Sequence, residues 1–432
     1  YTPDPETSGR TGLLIGPEPT FGAIGAAGDA AGFAEFYRRA GLVTKPLWPT
    51  LTDPLQTRSQ AREQVLAAGG PEAAAAWEDF VDQPIGAAIR SATEHDLVRG
   101  VLATDALIGT FASADDPSLR QNACFLYHLV GGGTGNWDVP VGGMGALTTD
   151  LAAAAQRFGA EIVTGADVFR ITPDGEVDYR HDGTEQRVHG RFVLANVTPA
   201  VLAELLGEAA PPVTPGAQIK VNLMLRRLPR LRDETVTPEQ AFGGTFHINE
   251  TLRQLEDGHA QAVAGNIPDP LPCEIYCHSL ADPSILAPEL RESGAATLTV
   301  FGLHTPHTLL AGKDPDTMRT ALTDAVLASL NSVLAEPIQD VLMTDAHGRP
   351  CVEAKTTADL QDILGMTAGN IFHGALDWPF VDDDVPLDTP ARQWGVATEH
   401  PRILLCGSGS HRGGAVSGLG GHSAAMAVLA SG

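Results

Sequence analysis

Residues 403–429 read ILLCGSGSHRGGAVSGLGGHSAAMAVL, and this stretch decides the fold. The run Ile403, Leu404, Leu405, Cys406 is short, branched and bounded by glycine, the pattern of a buried strand. Seven glycines lie between Gly407 and Gly421, and the Ala-rich residues 424–430 behind them favour a helix. Strand, glycine loop and helix start together can hold a flat or anionic ligand. Glycine lets backbone come close, and the N–H groups at the positive helix end favour negative charge. The same pattern also fits an ordinary left-handed turn between a strand and a helix, so composition leaves both readings open.

The spacing is not that of the dinucleotide fingerprint G-x-G-x-x-G, because Arg412 stands at the third glycine position and the loop lies at the wrong end of the chain. GSGSHRGGAVSGLGGHSAA instead resembles the C-terminal flavin-binding motif of the phytoene-desaturase-like FAD oxidoreductases. It is most similar to their pyridine nucleotide-disulfide oxidoreductase domain 2 branch. One departure is Arg412, where that family usually has proline after the histidine. The resemblance implies FAD as cofactor, held by Gly407, Ser408, Gly409, Gly414, Ala415, Val416, Ser417 and Gly418.

Two further stretches carry the resemblance. The pattern W-x-x-P-x-GGMGAL, from Trp137, precedes a helical run in which Leu147, Leu151, Ala154 and Phe158 share one face and Gly159 ends the helix. In the family this segment returns the chain from the substrate domain to the FAD domain. The earlier cluster at 131–135 is no dinucleotide loop, since Asn136 replaces the third glycine and Trp137, Asp138 and Pro140 follow. NIFHGALDWPF, at 370–380, resembles the family's GNIFHG segment. The same resemblance puts the adenine end of FAD at Val168 and turns His373, Trp137 and Trp378 toward the substrate; packing roles are the alternative for these three.

Along the chain, 13–15 reads as a strand and 31–39, 59–68 and 71–80 as helices, with Pro71 in a first turn. Helical composition continues over 85–111, giving a mostly helical cap to about residue 130. Residues 161–164 read as a strand, and alternation with turns at 173–175 and Gly183 makes 161–198 a meander. Strands follow at 219–225, 241–248, 273–278 and 296–303. The clearest helix is 315–335, capped by Asp314, with Met318, Leu322, Val326, Leu330 and Val333 as its core stripe.

The 432 residues carry a net charge of −25, which argues against nucleic acid and anionic lipid as partners. No apolar run reaches the ~18 residues of a membrane span. The opening YTPDPETSGR reads as neither an initiator start nor a signal peptide. Five cysteines in so long a chain suggest a reducing cytoplasm and no disulfide framework. Cys273 and Cys277 lie on one expected strand without a second pair, and His304 and His307 lack a carboxylate pattern, so no metal is expected.

These readings combine into a mixed α/β (α+β) fold, the remainder of a GR2-type FAD-binding domain plus a substrate domain with a β-sheet and a helical cap. The expected divisions are 1–135 (cap and helices), 136–212 (return helix and meander), 213–395 (substrate domain) and 396–432 (FAD-binding strand, loop and helix). No stretch supplies the Rossmann βαβ unit that the resemblance requires. A second polypeptide or a segment outside this sequence is therefore the expected partner. The implied activity is hydride transfer from a small hydrophobic substrate to flavin, by desaturation, dehydrogenation or isomerisation. His411 is a candidate for a polar contact or proton transfer beside the ring, or else braces the loop. A flavin-free binding subunit and a flavin amine oxidase are the alternatives.

Overall fold

The computed structural model describes residues 1–131, 139–414 and 417–432. Trp137, Ala415 and Val416 thus lie outside the described residues. A short antiparallel ladder opens the chain, β1 (Thr2–Pro3) with β2 (Gly12–Leu13), so the strand expected at 13–15 ends at Leu13. Five helices follow: α1 (Ala30–Leu47), α2 (Arg58–Trp77), α3 (Ile85–Ala92), α4 (Asp96–Leu107) and α5 (Arg120–Val130). In α2, Thr57 and Gln60 form a capping box, and the helix breaks at Gly70, φ +59°, just before Pro71. That break is where the sequence ends one helix and begins another. The cap's core is aromatic, with Phe36 edge-on to Phe80 at 5.2 Å and to Phe125 at 5.5 Å.

The return helix α6 (Gly143–Arg157) forms as expected but buries none of its residues. Leu151 is 61% and Phe158 92% exposed, so the face these residues share is a surface among the described residues. Residues 161–164 form no strand, a correction to the expected one: no neighbouring backbone offers them a ladder. The meander itself is present as β3 (Asp167–Ile171), β4 (Glu176–His181) and β5 (Thr184–His189), with a bulge between Val168 and Arg170. β6 (Val193–Ala195) then leads to α7 (Pro199–Leu206), which Thr198 caps and Gly207 ends.

Five antiparallel strands make the main sheet: β7 (Ile219–Leu225), β8 (Phe246–Ile248), β9 (Cys273–Tyr276), β10 (Ala296–Gly302) and β11 (Val352–Lys355). Their order is β11-β7-β10-β9-β8. The strand expected over 241–248 divides into a short helix, Pro238–Phe242, and β8. Alternation puts Val221, Leu223, Leu298, Val300 and Ile275 on one face, against the buried stripe of the Pro315–Val333 helix. That helix starts as read, with the Asp314 carboxylate accepting the Thr317 N–H at 2.8 Å. The other face carries Lys220, Asn222, Glu274, Thr297 and Thr299. Finally β12 (Ile403–Leu405) runs parallel to β6, Ile403 beside Val193. The Leu419–Ala430 helix begins five residues before the Ala-rich run, because Gly418 at φ +74° already makes the turn into it.

Candidate functional site

The glycine loop joins β12 to the Leu419–Ala430 helix. Cys406 extends the parallel ladder, its N–H donating to the Ala195 carbonyl at 3.0 Å, and the Ser410 hydroxyl donates to the Gly407 carbonyl at 2.7 Å. A side chain at Gly407 would strike Asn196, one at Gly409 Pro199, one at Gly413 the Ser408 carbonyl, and one at Gly420 the Gly407 carbonyl. These glycines therefore serve the loop's own packing. Gly414 lies against Leu376 and Phe372. Gly418 differs, since a Cβ there would meet open space. Ser417 and Gly418 are exposed, the N-cap residue Gly418 has no side chain to offer, and the Ser417 hydroxyl accepts the Leu419 N–H at 3.2 Å. This end of the loop fits the electron-rich edge of a flavin ring, because open room adjoins the positive pole of a helix.

The segment at 370–380 packs onto this loop, so two stretches singled out in the sequence meet in space. His411 is held by it: Nε2 lies 3.2 Å from the Phe380 carbonyl and Nδ1 3.3 Å from the Asp377 carboxylate, while the backbone N–H donates to Gly395. His373 sits at φ +63°, with Nδ1 buried and without a hydrogen-bond partner. Burial lowers its pKa and keeps it neutral at neutral pH. Trp378 stacks on Phe380 at 5.7 Å, which stacks on Trp77 of the cap at 5.3 Å. Val168 stands on the exposed side of β3, paired with Tyr179.

Arg412, noted in the sequence only as a departure, is buried at φ +59°. Its Nη1 donates to the carbonyls of Thr50 at 2.8 Å, Leu51 at 2.7 Å and Asp53 at 2.9 Å. Burial pulls its pKa down to about 10, which leaves it charged at neutral pH. No sequence signal could name these partners, because backbone carbonyls carry no residue identity.

Where the cap meets the sheet, the Thr104 hydroxyl donates to Glu250 at 2.7 Å and His247 Nδ1 lies 2.8 Å from the same oxygen. Burial pushes Glu250 and Glu274 up to about 8 and pulls His247 down to about 4, so His247 and Glu250 share a neutral hydrogen bond at pH 7. A cleft of about 720 Å³ runs along the open sheet face past Asn222, Met224, His278 and Ile285. It depends on strand register and was invisible in the sequence. His307 Nδ1 lies 3.0 Å from the Thr357 hydroxyl, and the five thiols are free. Among the described residues no group of three or more His, Cys, Asp or Glu is placed to hold a metal, and no helix is long and apolar enough to cross a membrane.

Fold and site together define a mixed α/β chain that carries a strand, glycine loop and helix between a helical cap and a one-sided sheet. The chain belongs to the family of the Mycobacterium tuberculosis "Uncharacterized protein Rv0897c", to which it is 67% identical over 438 residues, covering 100% of this chain and 82% of that protein. It is 30% identical over 381 residues to the rat "Pyridine nucleotide-disulfide oxidoreductase domain-containing protein 2", covering 82% of this chain and 61% of the relative. A solved oxidoreductase from Methanosarcina mazei superposes with a TM-score of 0.45 at 15% identity, over 89% of this chain and 74% of that one. No family model matches the chain.

Proposed function

We propose that this chain is the larger part of an FAD-dependent oxidoreductase of the phytoene-desaturase-like group, acting on a small hydrophobic substrate. The observation that carries the reading is the end of the glycine loop at Gly418, where a Cβ would meet nothing among the described residues, beside a helix start whose N-cap residue is glycine. The name of the rat relative supports it. A flavin bound there would accept hydride from an activated C–H bond. The chain's own part is to orient and to exclude water: the first turn of the Leu419–Ala430 helix offers positive potential to the ring. Residues 370–380 and the cap form the wall beside the loop, with the neutral His373 imidazole available as a hydrogen-bond partner to substrate.

The pyrophosphate needs a Rossmann βαβ unit, which in this reading comes from outside these 432 residues, on a second polypeptide or a further segment. The apolar stripe of α6 and the outer edge of β6 are the surfaces proposed to receive it. A second reading, a flavin-free binding subunit, is favoured by the way Gly407, Gly409 and Gly413 are filled by the chain's own atoms.

The test uses the assembly purified with its Rossmann-bearing segment. Native mass spectrometry and the visible spectrum should show bound FAD, and Gly418→Val should remove it while circular dichroism keeps the wild-type shape, with Tm lowered because valine is strained at φ +74°. A colourless wild-type assembly, or normal flavin occupancy in Gly418→Val, overturns the proposal.

A further inference from the structure

The Arg412 guanidinium ends on three carbonyls that close the 3-10 turn Trp48–Thr52, the continuation of cap helix α1. Terminal helix carbonyls carry partial negative charge and lack partners within the helix, so a buried cation there satisfies both needs at once. The arginine spans 359 to 362 residues of sequence to reach them. It does so from a left-handed backbone position immediately before Gly413 and Gly414. Such a position is unfavourable for a residue with a side chain and persists only where the surroundings over-determine it. Here the surroundings are the cap.

We infer that Arg412 is a positioning residue that couples the seat of the helical cap to the conformation of the glycine loop, so that ligand held by the loop and docking of the cap reinforce each other. The coupling is reciprocal: what stabilises the loop stabilises the end of α1, and a displaced cap releases the loop. Lysine reaches as a single point charge without the planar fork and retains only part of the effect. Proline, with φ fixed near −65° and no donor, cannot occupy this turn at all. The inference rests on the flavin reading only for the identity of the ligand.

Hydrogen exchange of the assembly purified with its Rossmann-bearing segment, read by mass spectrometry, tests it with FAD as the probe. Without FAD, Arg412→Ala should speed exchange at residues 48–55 and 407–414 together, on the order of tenfold or more, while β7 and β10 keep wild-type protection. Arg412→Lys should fall between. With FAD, wild type should gain protection at 48–55 as well as in the loop, and Arg412→Ala should lose the gain at 48–55 even at saturating FAD. Faster exchange in the loop alone overturns the coupling, and so does a uniform increase that includes the sheet. If FAD protects no variant, the flavin reading fails, while the ligand-free arm still decides whether the clasp exists.

Discussion

The five-stranded sheet with its Pro315–Val333 helix and the β6–β12 pair with α6 draw on similarly apolar sequence, yet the first encloses one large core and the second only two small clusters, around Trp394, Val396 and Leu404 and around Ile171, Leu202 and Ile403. In the sheet, alternate residues of β7 and β10 are buried without exception against the helix stripe. In the second region two parallel strands of three residues each are extended only by an antiparallel bridge from Ala397 to Leu404, Leu194 is 45% exposed and α6 buries no residue. Parallel strands are ordinarily covered on both faces. The contrast separates a region built on one large core from a region with small clusters that presents the glycine loop and leaves α6 as a surface. Ligand-holding loops belong to the less self-sufficient part of a fold, because they must be able to open.

The sharpest way to test the first half is Leu330→Ala. Leu330 is fully buried between helix and sheet, so the change removes transfer energy and leaves a cavity, for an expected loss of ~2–5 kcal/mol by chemical denaturation. A loss of less than ~1 kcal/mol would place this core among loosely packed ones and remove the contrast.

A smaller, pH-dependent effect is expected where the closed half meets the cap. Glu274 keeps its proton up to about 8 in the fold, against an ordinary value near 4.5, so its contribution is complete below pH 4.5 and is lost as pH rises to 8. His247, lowered to about 4, has the opposite sign: its contribution is complete above 6.5 and is lost as pH falls. Between pH 6.5 and 8 His247 no longer contributes to the slope, and each of the two carboxyls lowers stability by up to ~1.4 kcal/mol per pH unit, against the opposite contribution of the buried Tyr1 amino group, lowered to about 5. Glu274→Gln should flatten that slope, gaining on wild type as pH rises from 6.5 to 8 in denaturant titrations. Parallel curves would show that Glu274 is ionised in the fold.

The same contrast explains what was legible in the sequence. Periodicity and caps are local, so the helix after Asp314, the break at Gly70 and Pro71, and the alternation of β7 and β10 could all be read directly. For α6 the period put Leu147, Leu151, Ala154 and Phe158 on one face, but a period cannot say what covers a face, and Leu151 and Phe158 are exposed. The glycines posed a similar ambiguity: room for a ligand and room for the chain's own Asn196 and Pro199 look alike in sequence. The segment at 370–380 was legible as a partner of the loop only through resemblance, and the carbonyl partners of Arg412 were not legible at all.

The smallest expected effect is the most informative about the open half. Phe158 is 92% exposed, so Phe158→Ser in this chain should change stability by no more than ~0.5 kcal/mol. If α6 receives a Rossmann unit, the ring becomes buried in the assembly, where a phenylalanine is worth ~1.5–3 kcal/mol. The same substitution should then weaken association by roughly ten- to a hundredfold, measured by titrating one component into the other. Leu151→Ser, about two turns earlier on the same stripe, should act in the same direction. A loss above ~1 kcal/mol in the chain alone would mean that α6 already packs within it, and the distinction between the two halves would fall. Neutrality in both the chain and the assembly would leave the stripe a solvated surface and would move the proposed contact to the outer edge of β6, where Leu194→Ser makes the corresponding measurement.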